Sequence, residues 1–477
     1  MSVLHVHAEN GSDSNPGTQA LPYQTLNKAL GEAWLLKQVV PGQPLPLVQI
    51  TVHRSATPIA PATHGGHESA GWQTTAEISA GVTHKPFPLR MVKGVDVVGS
   101  SRAQTKPEIK IDENLFGAFP GSSYEPGYPK TWVWMASNMT LFGFRLSGEE
   151  YDLSRATHAL SAVYVKEVSN ASIDECDIVD FHDGVYFYAG LSSDSSTQLT
   201  VSGSVRNSHL ENFFPTVADP LLPQDKGHAA VWLKGPGILD VDIISCDFEE
   251  CHDAIQTGGE IESGLATEAN LDVIGGTFVG IENGIEVVGK GRLTFTATDS
   301  TFLRCKNLPE GVDPNVSSTA AMLLRGMNTL NGMVRGCTFE NNAYSILWNL
   351  NPTAPSTLNL GTSLDHGLNV FKPFDFNIPL SEDTYRVHVV QKSIAGLPTR
   401  ISAWGNTWIP GNQGADAAGC LTSASVLIGP TNLPNLLVND GPPGPFAGEF
   451  DSIGVPWSRN YSILEAGGEL DVGEDCP

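Results

Sequence analysis

The chain contains 477 residues, of which 40% are hydrophobic, and its 52 acidic residues against 27 basic ones give a formal net charge of −25. This charge excludes nucleic acid as a partner, because nucleic acid binds basic surfaces. It also disfavours a polyanionic substrate, unless cations gather locally in a cleft. No apolar run approaches the roughly 18 residues of a membrane-spanning helix, so we expect no membrane insertion. The opening MSVLHVHAEN has no basic region followed by an apolar stretch, so no signal peptide is visible.

The first 40 residues predict a cap for the end of a larger β-structure. A short strand, LHVHA, is followed by a polar loop and by one amphipathic helix, in which Leu26, Ala29, Leu30 and Ala33 recur at helical spacing. Thr25 precedes this helix as a candidate N-cap residue. Because exposed strand edges promote aggregation, we expect the helix to cover the open end of the structure that follows.

A motif returns seven times through the middle of the chain. Each copy contains a small, a polar and a large apolar residue, followed by a short polar turn and a brief apolar strand. The large apolar residues lie 34, 32, 38, 30, 24 and 37 positions apart, at Phe144, Ile178, Leu210, Phe248, Phe278, Phe302 and Phe339. Repeats of this length without a helical pattern predict an all-β solenoid, a parallel β-helix.

The chain divides into three predicted regions. Residues 1–92 hold the N-terminal strand, the capping helix and the first strands, and residues 93–405 form the parallel β-helix. Residues 406–477 are rich in Pro, Gly and Asn and predict an irregular C-terminal cap and tail. We expect the cysteines of the repeats to be buried free thiols, at Cys176, Cys246, Cys251, Cys305 and Cys337. Cys420 and Cys476 are the remaining candidates for a disulfide.

The segment HVHAENGSDSNPGTQALPYQTLNKAL resembles the N-terminal segment of many secreted proteins of the pectin-lyase-like superfamily. The resemblance implies a right-handed parallel β-helix with a capping helix, and an extracellular or cell-surface location. The superfamily includes polysaccharide lyases, glycoside hydrolases, epimerases, phage depolymerases and non-catalytic surface proteins, so fold alone does not decide function. This sequence lacks both the acidic spacing of the polygalacturonases and the lysine–arginine pair of the alginate-type lyases.

The strand after each turn predicts columns of side chains, since strand residues alternate between faces. One apolar residue per strand is expected to point inward: Val163, Val185, Val231, Ile255, Ile285, Met322 and Ile346. Their next neighbours form a first outward column: Tyr164, Tyr186, Trp232, Gln256, Glu286, Leu323 and Leu347. Two positions further lies a second outward column: Lys166, Tyr188, Lys234, Gly258, Val288, Arg325 and Asn349.

Aromatic and charged residues of these columns predict a carbohydrate-binding patch. Tyr and Trp rings beside charged groups suit the apolar faces and polar edges of sugars, and a contiguous exposed patch marks a binding surface. In the alternative, longer loops fold over the rings and bury them. The predicted substrate-binding residues are Tyr164, Lys166, Tyr186, Tyr188, Trp232, Gln256, Glu286 and Arg325.

The turn before the strand supplies candidate catalytic groups for hydrolysis. His182–Asp183 and His252–Asp253 occupy equivalent positions of two repeats. If two strand spacings separate them, the two aspartates lie roughly 9–10 Å apart, near the upper limit for an inverting glycosidase. Either histidine would then orient or assist its neighbouring carboxylate.

For β-elimination, the enzyme needs a base near the C5 proton of the sugar and a cation that neutralises the uronate. Lys166, Lys234, Tyr186 or Tyr188 are candidates for the base, and Arg325 for the cation. Against both reactions stands a structural role, since Asp, His and Asn in solenoid turns commonly cap backbone groups.

These observations predict a carbohydrate-active β-helix protein that binds a polysaccharide or oligosaccharide and cleaves it, as a glycoside hydrolase or a polysaccharide lyase. The alternative is a non-catalytic glycan-binding or adhesive surface protein. No cofactor is predicted. Asp13 and Asn15 in GSDSN resemble part of a calcium loop, which makes Ca²⁺ the one weak candidate, but the same residues form good turns.

Overall fold

The computed structural model contains two compact units, Met1–Asp219 (unit 1) and Pro220–Pro477 (unit 2). The boundaries predicted after residues 92 and 405 differ from this division and stay predictions. The structure describes residues 1–38, 46–54, 63–64, 68, 70–100, 105–110, 131–148, 161–192, 197–213, 229–258, 267–288, 291–305, 319–325, 329–342, 344–349, 356–362, 364–372, 387–392, 399–402, 406–408, 436–439 and 469–471.

Unit 1 contains the helices α1 (Leu26–Leu36) and α2 (Thr75–Ser79). Its strands are β1 (Ser2–Val6), β2 (Val48–His53), β3 (Thr63–His64), β4 (Leu89–Arg90), β5 (Val95–Ser100), β6 (Glu108–Ile109), β7 (Thr131–Trp134), β8 (Met139–Phe142), β9 (Arg145–Ser147), β10 (Ser161–Lys166), β11 (Ala171–Asp174), β12 (Asp177–Val179), β13 (Asp183–Tyr188), β14 (Thr200–Arg206) and β15 (His209–Phe213).

The strands of unit 2 are β16 (Ala229–Lys234), β17 (Ile238–Ile244), β18 (Asp247–Cys251), β19 (Asp253–Thr257), β20 (Thr267–Ile274), β21 (Thr277–Val279), β22 (Asn283–Val287), β23 (Gly291–Thr298), β24 (Thr301–Leu303), β25 (Met322–Arg325), β26 (Thr329–Arg335), β27 (Thr338–Glu340), β28 (Tyr344–Asn349), β29 (Ser356–Asn359), β30 (Val370–Phe371), β31 (Val387–Lys392), β32 (Thr399–Ser402), β33 (Thr407–Trp408), β34 (Leu436–Asn439) and β35 (Glu469–Asp471).

Within each unit the described strands form three parallel sheets. Strands that follow one another along the chain lie in different sheets. In unit 1 the orders are β1-β2-β5-β8-β11-β14, β4-β7-β10-β13 and β3-β6-β9-β12-β15. In unit 2 they are β17-β20-β23-β26-β29-β32-β35, β16-β19-β22-β25-β28-β31-β34 and β18-β21-β24-β27-β30-β33. The predicted all-β, right-handed parallel β-helix is thereby confirmed.

The repeat residues fill the interior of the coils. In unit 2 five phenylalanine rings stack in register with centroids 4.5 to 5.2 Å apart, namely Phe248, Phe278, Phe302, Phe339 and Phe371. Phe371 is a further copy that the sequence reading did not include. The first copy was assigned wrongly by two positions, because Ile178 pairs with Leu146 and not with Phe144. Phe144 is nevertheless fully buried, like the cysteines of the repeats, which are free thiols as predicted.

Polar residues with left-handed backbone turn the corners of the coils. Asn138 and Asn170 have φ of 56° and 55°, a conformation that Asn tolerates better than most residues. Their side chains join in a ladder, since Asn170 Nδ2 donates to Asn138 Oδ1 at 3.0 Å. The tight corners explain why the repeats are rich in Asn, Asp and Gly.

Helix α1 forms as predicted, with Leu26, Ala29, Leu30 and Ala33 buried and Thr25 as the N-cap residue that accepts from the Lys28 amide. Asp13 accepts hydrogen bonds from the backbone amides of Gln24 and Thr25 and from the Thr25 hydroxyl.

The buried carboxylate of Glu68 accepts from the backbone amides of Leu26 and Asn27. The acidic side chains near this helix start therefore satisfy backbone donors. The sequence suggested two roles for Asp13, in a turn or in a calcium loop, and these hydrogen bonds correspond to the role in a turn.

Candidate functional site

The predicted alignment of side chains in columns is confirmed. The inward residues are fully buried and align in register, Val163 with Val185 in unit 1, and in unit 2 Val231, Ile255, Ile285, Met322 and Ile346. The first outward column aligns equally well, Tyr164 with Tyr186 in unit 1, and in unit 2 Trp232, Gln256, Glu286, Leu323 and Leu347. Residues dozens of positions apart in sequence therefore lie on neighbouring strands.

The side chains of the outward columns are less exposed to solvent than an open carbohydrate-binding patch requires. In unit 2, Trp232 and Gln256 are 8% and 9% exposed, and Glu286 is 2% exposed. In unit 1 Tyr164 is buried, whereas Tyr186 is half-buried. The expectation of one exposed patch is therefore corrected, because Trp232, Gln256 and Glu286 are buried. Register aligns these side chains in a column but does not determine how exposed they are.

Three carboxyl groups gather around one histidine in unit 2. The ring of His252 lies between two of them, with Nδ1 3.2 Å from Asp253 Oδ2 and Nε2 3.2 Å from Glu282 Oε2. Asn283 donates a side-chain hydrogen bond to Asp253 Oδ1 at 2.9 Å. The carboxyl group of Glu286 lies close enough to act electrostatically on His252 and Asp253. We call His252, Asp253, Glu282 and Glu286 the acid cluster.

Electrostatics hold His252 as a cation and Asp253 as an anion. Burial alone would lower the pKa of His252, but the neighbouring carboxylates, Asp253 foremost, raise this pKa to about 9. Burial alone would raise the pKa of Asp253, but the charge of His252 and the hydrogen bonds to Asp253 lower it overall. Such shifts concentrate at functional sites, although structural ion-pair networks show them as well.

A neighbouring side chain fixes Glu286. Gln256 Nε2 donates to Glu286 Oε2 at 2.7 Å, and both side chains are buried. The acid cluster therefore gathers three carboxyl groups and one imidazolium in a buried part of unit 2.

Trp232 and Lys234 lie on β16, next to the strand that carries Asp253. Trp232 is in register with Gln256, and its Nε1 donates to the carbonyl oxygen of Gly258 at 3.0 Å. The Nζ of Lys234 lies 4.5 Å from the centroid of the Trp232 ring, a cation–π contact. Both side chains are buried. The predicted role of Lys234 as a base stays a prediction.

In unit 1, His182 and Asp183 repeat the arrangement of His252 and Asp253. His182 Nδ1 lies 3.1 Å from Asp183 Oδ2, and both side chains are buried. Asp183 Oδ1 is also buried and makes no hydrogen bond with any residue that the structure describes. The pairing of each histidine with its following aspartate fits the expected orienting role.

An aromatic column crosses three strands of unit 1. Trp134, Tyr164 and Tyr186 are in register on β7, β10 and β13, with ring centroids 5.7 and 5.3 Å apart. The ring of Tyr188 lies 6.2 Å from that of Tyr186, and the Nζ of Lys166 lies 5.7 Å from the Tyr188 ring. All but Tyr164 are half-buried. We call these five residues the aromatic strip.

Other predicted relationships remain predictions. Asp183 and Asp253 belong to different units, so the predicted distance between them remains a prediction. Arg325 lies on β25 in register with Asn349, and its side chain lies outside the described residues. Most of the long insertions of the turns and the candidate pair Cys420 and Cys476 also lie outside them.

The sequence places Glu282–Asn283 in the turn equivalent to the two His–Asp pairs, but Glu282 was not among the predicted catalytic residues, and Trp134 was not among the predicted binding residues. Glu282 lies four positions after Phe278, just as His252 lies four positions after Phe248, so the repeat itself marks the site. Trp134 lies in the strand TWVW, before the first strand used to define the columns. Its register with Tyr164 becomes visible only when one further strand is aligned.

Among the described residues, no group of three or more His, Cys, Asp or Glu side chains is arranged to hold a metal ion. Within the same residues, neither helix has the length and apolar character needed to cross a membrane.

The coil defines a protein of the parallel β-helix class. No protein-family model and no curated protein matches the chain. Similar solved structures include a rhamnogalacturonan lyase, 14% identical over 89% of this chain and 86% of that one, with a TM-score of 0.42.

A GH136 lacto-N-biosidase from Eubacterium ramulus is 11% identical over 85% of this chain and 64% of its own, with a TM-score of 0.37. A hyperthermoactive exopolygalacturonase from Thermotoga maritima is 9% identical over 74% and 80%, with a TM-score of 0.32. This chain thus spans less than two thirds of the biosidase. At these identities the similarity concerns the fold alone.

Proposed function

We propose that this protein is a carbohydrate-active β-helix protein that binds a polysaccharide and cleaves it at the acid cluster of unit 2. The observation that carries the proposal is the acid cluster itself, in which the ring of His252 lies 3.2 Å from both Asp253 and Glu282 and in which Gln256 holds Glu286. It gathers several carboxyl groups in one place, and both hydrolysis and β-elimination of a glycosidic linkage use an acid and a base.

In this proposal Glu286 protonates the oxygen of the leaving sugar, and Asp253 acts as the base. His252 is a positioning residue, because both of its ring nitrogens face carboxylates and its proton is held between them. Gln256 keeps the Glu286 carboxyl group in place through its hydrogen bond.

Trp232 supports a carbohydrate as the substrate, because it lies on the strand next to Gln256 and carries Lys234 against its ring. An aromatic face combined with a cation suits a sugar ring and its polar edge. The overall charge of −25 favours a neutral or sparsely charged glycan. The resemblance of the N-terminal segment to those of secreted proteins supports action outside the cell or at its surface.

A second candidate function is glycan binding without cleavage. The burial of the acid cluster favours it, since Asp253 and Glu282 are both 0% exposed. Buried, mutually paired charges also occur in purely structural networks that touch no ligand. Cleavage requires the cluster to open, whereas binding elsewhere on the coil does not.

The test is to incubate the full chain with a panel of neutral and acidic polysaccharides. Release of reducing ends and absorbance of unsaturated uronates are then measured. The proposal expects new reducing ends from at least one polysaccharide, and absorbing products would identify elimination. Retention on a polysaccharide without any product would contradict cleavage and select the second candidate.

A further inference from the structure

The aromatic strip of unit 1 differs from the acid cluster in how open it is. Trp134, Tyr186 and Tyr188 are half-buried, and the side chain of Lys166 is 34% exposed. In unit 2 the equivalent outward residues Trp232 and Glu286 are buried. The strip therefore offers aromatic surface to a ligand without any rearrangement of the coil.

The register of the strip sets a direction for such a ligand. Trp134, Tyr164 and Tyr186 occupy the same position on three adjacent strands, which lie about 4.8 Å apart in a sheet. Tyr188 widens the strip along β13 by two residues. A chain molecule lying across these strands meets one aromatic side chain per strand, and flat apolar faces are what pyranose rings present.

The charges beside the strip are already balanced within the protein. Lys166 Nζ lies 3.8 Å from Glu167 Oε1. Arg90, in register with Trp134 at the β4 edge of the strip, has its NH2 group 3.2 Å from Glu77 Oε1. With each cation facing a carboxylate, a polyanion gains little attraction here, and the net charge of −25 repels it.

We propose that the aromatic strip is a binding site for a neutral glycan chain that runs across β7, β10 and β13, with sugar rings packed on Trp134, Tyr186 and Tyr188. The site deepens the proposed carbohydrate function, on which it rests for its ligand class, but it involves binding alone. The strip binds a polysaccharide on unit 1 whether or not the acid cluster cleaves that polysaccharide.

The test is retardation of the full chain in native gels that contain a soluble polysaccharide. The probes are a mixed-linkage β-glucan, a xylan and a galactomannan as neutral chains, and polygalacturonate as the polyanion. The variants are Tyr186→Ala, which removes the ring, and Tyr186→Phe, which keeps it. Phe142→Ala is the matched control, because Phe142 is a half-buried aromatic residue on another sheet of unit 1.

We expect at least one neutral polysaccharide to retard the wild type and Phe142→Ala equally. Tyr186→Ala should bind it at least tenfold more weakly at an unchanged melting temperature, and Tyr186→Phe should stay within about threefold, since the ring face carries the contact. Equal binding by Tyr186→Ala, preference for polygalacturonate, or no retardation by any neutral chain would overturn the proposal.

Failure of the aromatic strip as a binding site can be distinguished from failure of the proposed cleavage. Substituting Glu286 by Gln tests cleavage and should leave retardation unchanged, because Glu286 is not part of the strip. If the protein cleaves a polysaccharide while Tyr186→Ala binds normally, the strip fails and the proposed activity stands. If Tyr186→Ala loses binding and no cleavage occurs, the strip stands without the activity.

Discussion

The side-chain amide of Gln256 donates a hydrogen bond to the carboxyl group of Glu286 on the neighbouring strand, with 2.7 Å between Nε2 and Oε2. Gln256 lies on β19 in register with Glu286 on β22. Asp253 lies on the same strand in register with Asn283, whose side-chain amide donates to it at 2.9 Å. The rigid ladder of the coil thus positions both carboxyl groups without help from a loop.

The first prediction concerns the carboxylate of Asp253 in the acid cluster. Asp253→Asn should lower the rate of polysaccharide cleavage at least 100-fold, because an amide accepts no proton from the substrate. Binding should change by no more than about twofold, since Asp253 is fully buried. Initial rates of reducing-end release and gel retardation measure the two effects. Asp247→Asn, an exposed acid on β18, is the matched control and should cleave normally. Wild-type turnover in Asp253→Asn would remove this residue from the mechanism.

The second prediction is that the free energy of unfolding of unit 2 falls at alkaline pH. The pKa of His252 is raised to about 9, so the folded state holds the imidazolium more firmly than the unfolded chain, whose pKa is about 6.5. The stabilisation is complete below the unfolded value and is lost as the pH rises through 9, up to about 3 kcal/mol. Urea unfolding between pH 6 and 10 should show this loss in the wild type and a flatter profile in His252→Gln. Parallel profiles would contradict the charged state of His252.

The third prediction concerns the cap of unit 1. Burial raises the pKa of Glu68 to about 7, against the hydrogen bonds from the Leu26 and Asn27 amides that favour its charged form. The folded state therefore binds a proton that the unfolded chain releases near pH 4.5, and stability should fall as the pH rises from 4.5 to 7. The fluorescence of Trp34 and Trp72, stacked at 5.8 Å, reports local unfolding of the cap. Glu68→Gln should abolish the slope. A slope that persists in Glu68→Gln would show that another group titrates.

The fourth prediction tests the phenylalanine stack. Phe302 is fully buried between Phe278 and Phe339, so Phe302→Ala should destabilise unit 2 by about 3–5 kcal/mol through a cavity. Phe302→Leu should cost clearly less, because it leaves a smaller void. Chemical denaturation followed by circular dichroism measures both variants. A loss below about 1 kcal/mol in Phe302→Ala would mean that the ring is not part of a packed core.

Much of this architecture could be predicted because the coil repeats itself. Each copy must place an apolar side chain inside, so Val231 and Ile255 could be aligned from spacing alone, and their register is confirmed. The one misplaced copy has apolar residues at both Phe144 and Leu146, two positions apart on the same face, so spacing could not choose between them.

The exposure of the site could not be predicted in the same way. Register places Trp232, Gln256 and Glu286 in one column but does not determine how far each side chain is exposed. Spacing likewise gives the equivalence of His252 and Glu282. It does not show that the His252 ring lies between Asp253 and Glu282, because that depends on the side-chain conformations.

The measurement that tests the central claim most directly is the cleavage rate of Glu286→Gln on a polysaccharide that the wild type cleaves, with Glu249→Gln as the control. Glu249 is an exposed acid on β18 of the same unit. If Glu286 donates the proton, Glu286→Gln loses at least 100-fold in rate while its unfolding midpoint and its binding persist, and Glu249→Gln keeps the full rate. A Glu286→Gln variant that cleaves as fast as the wild type would contradict the assignment of the acid cluster as the catalytic site.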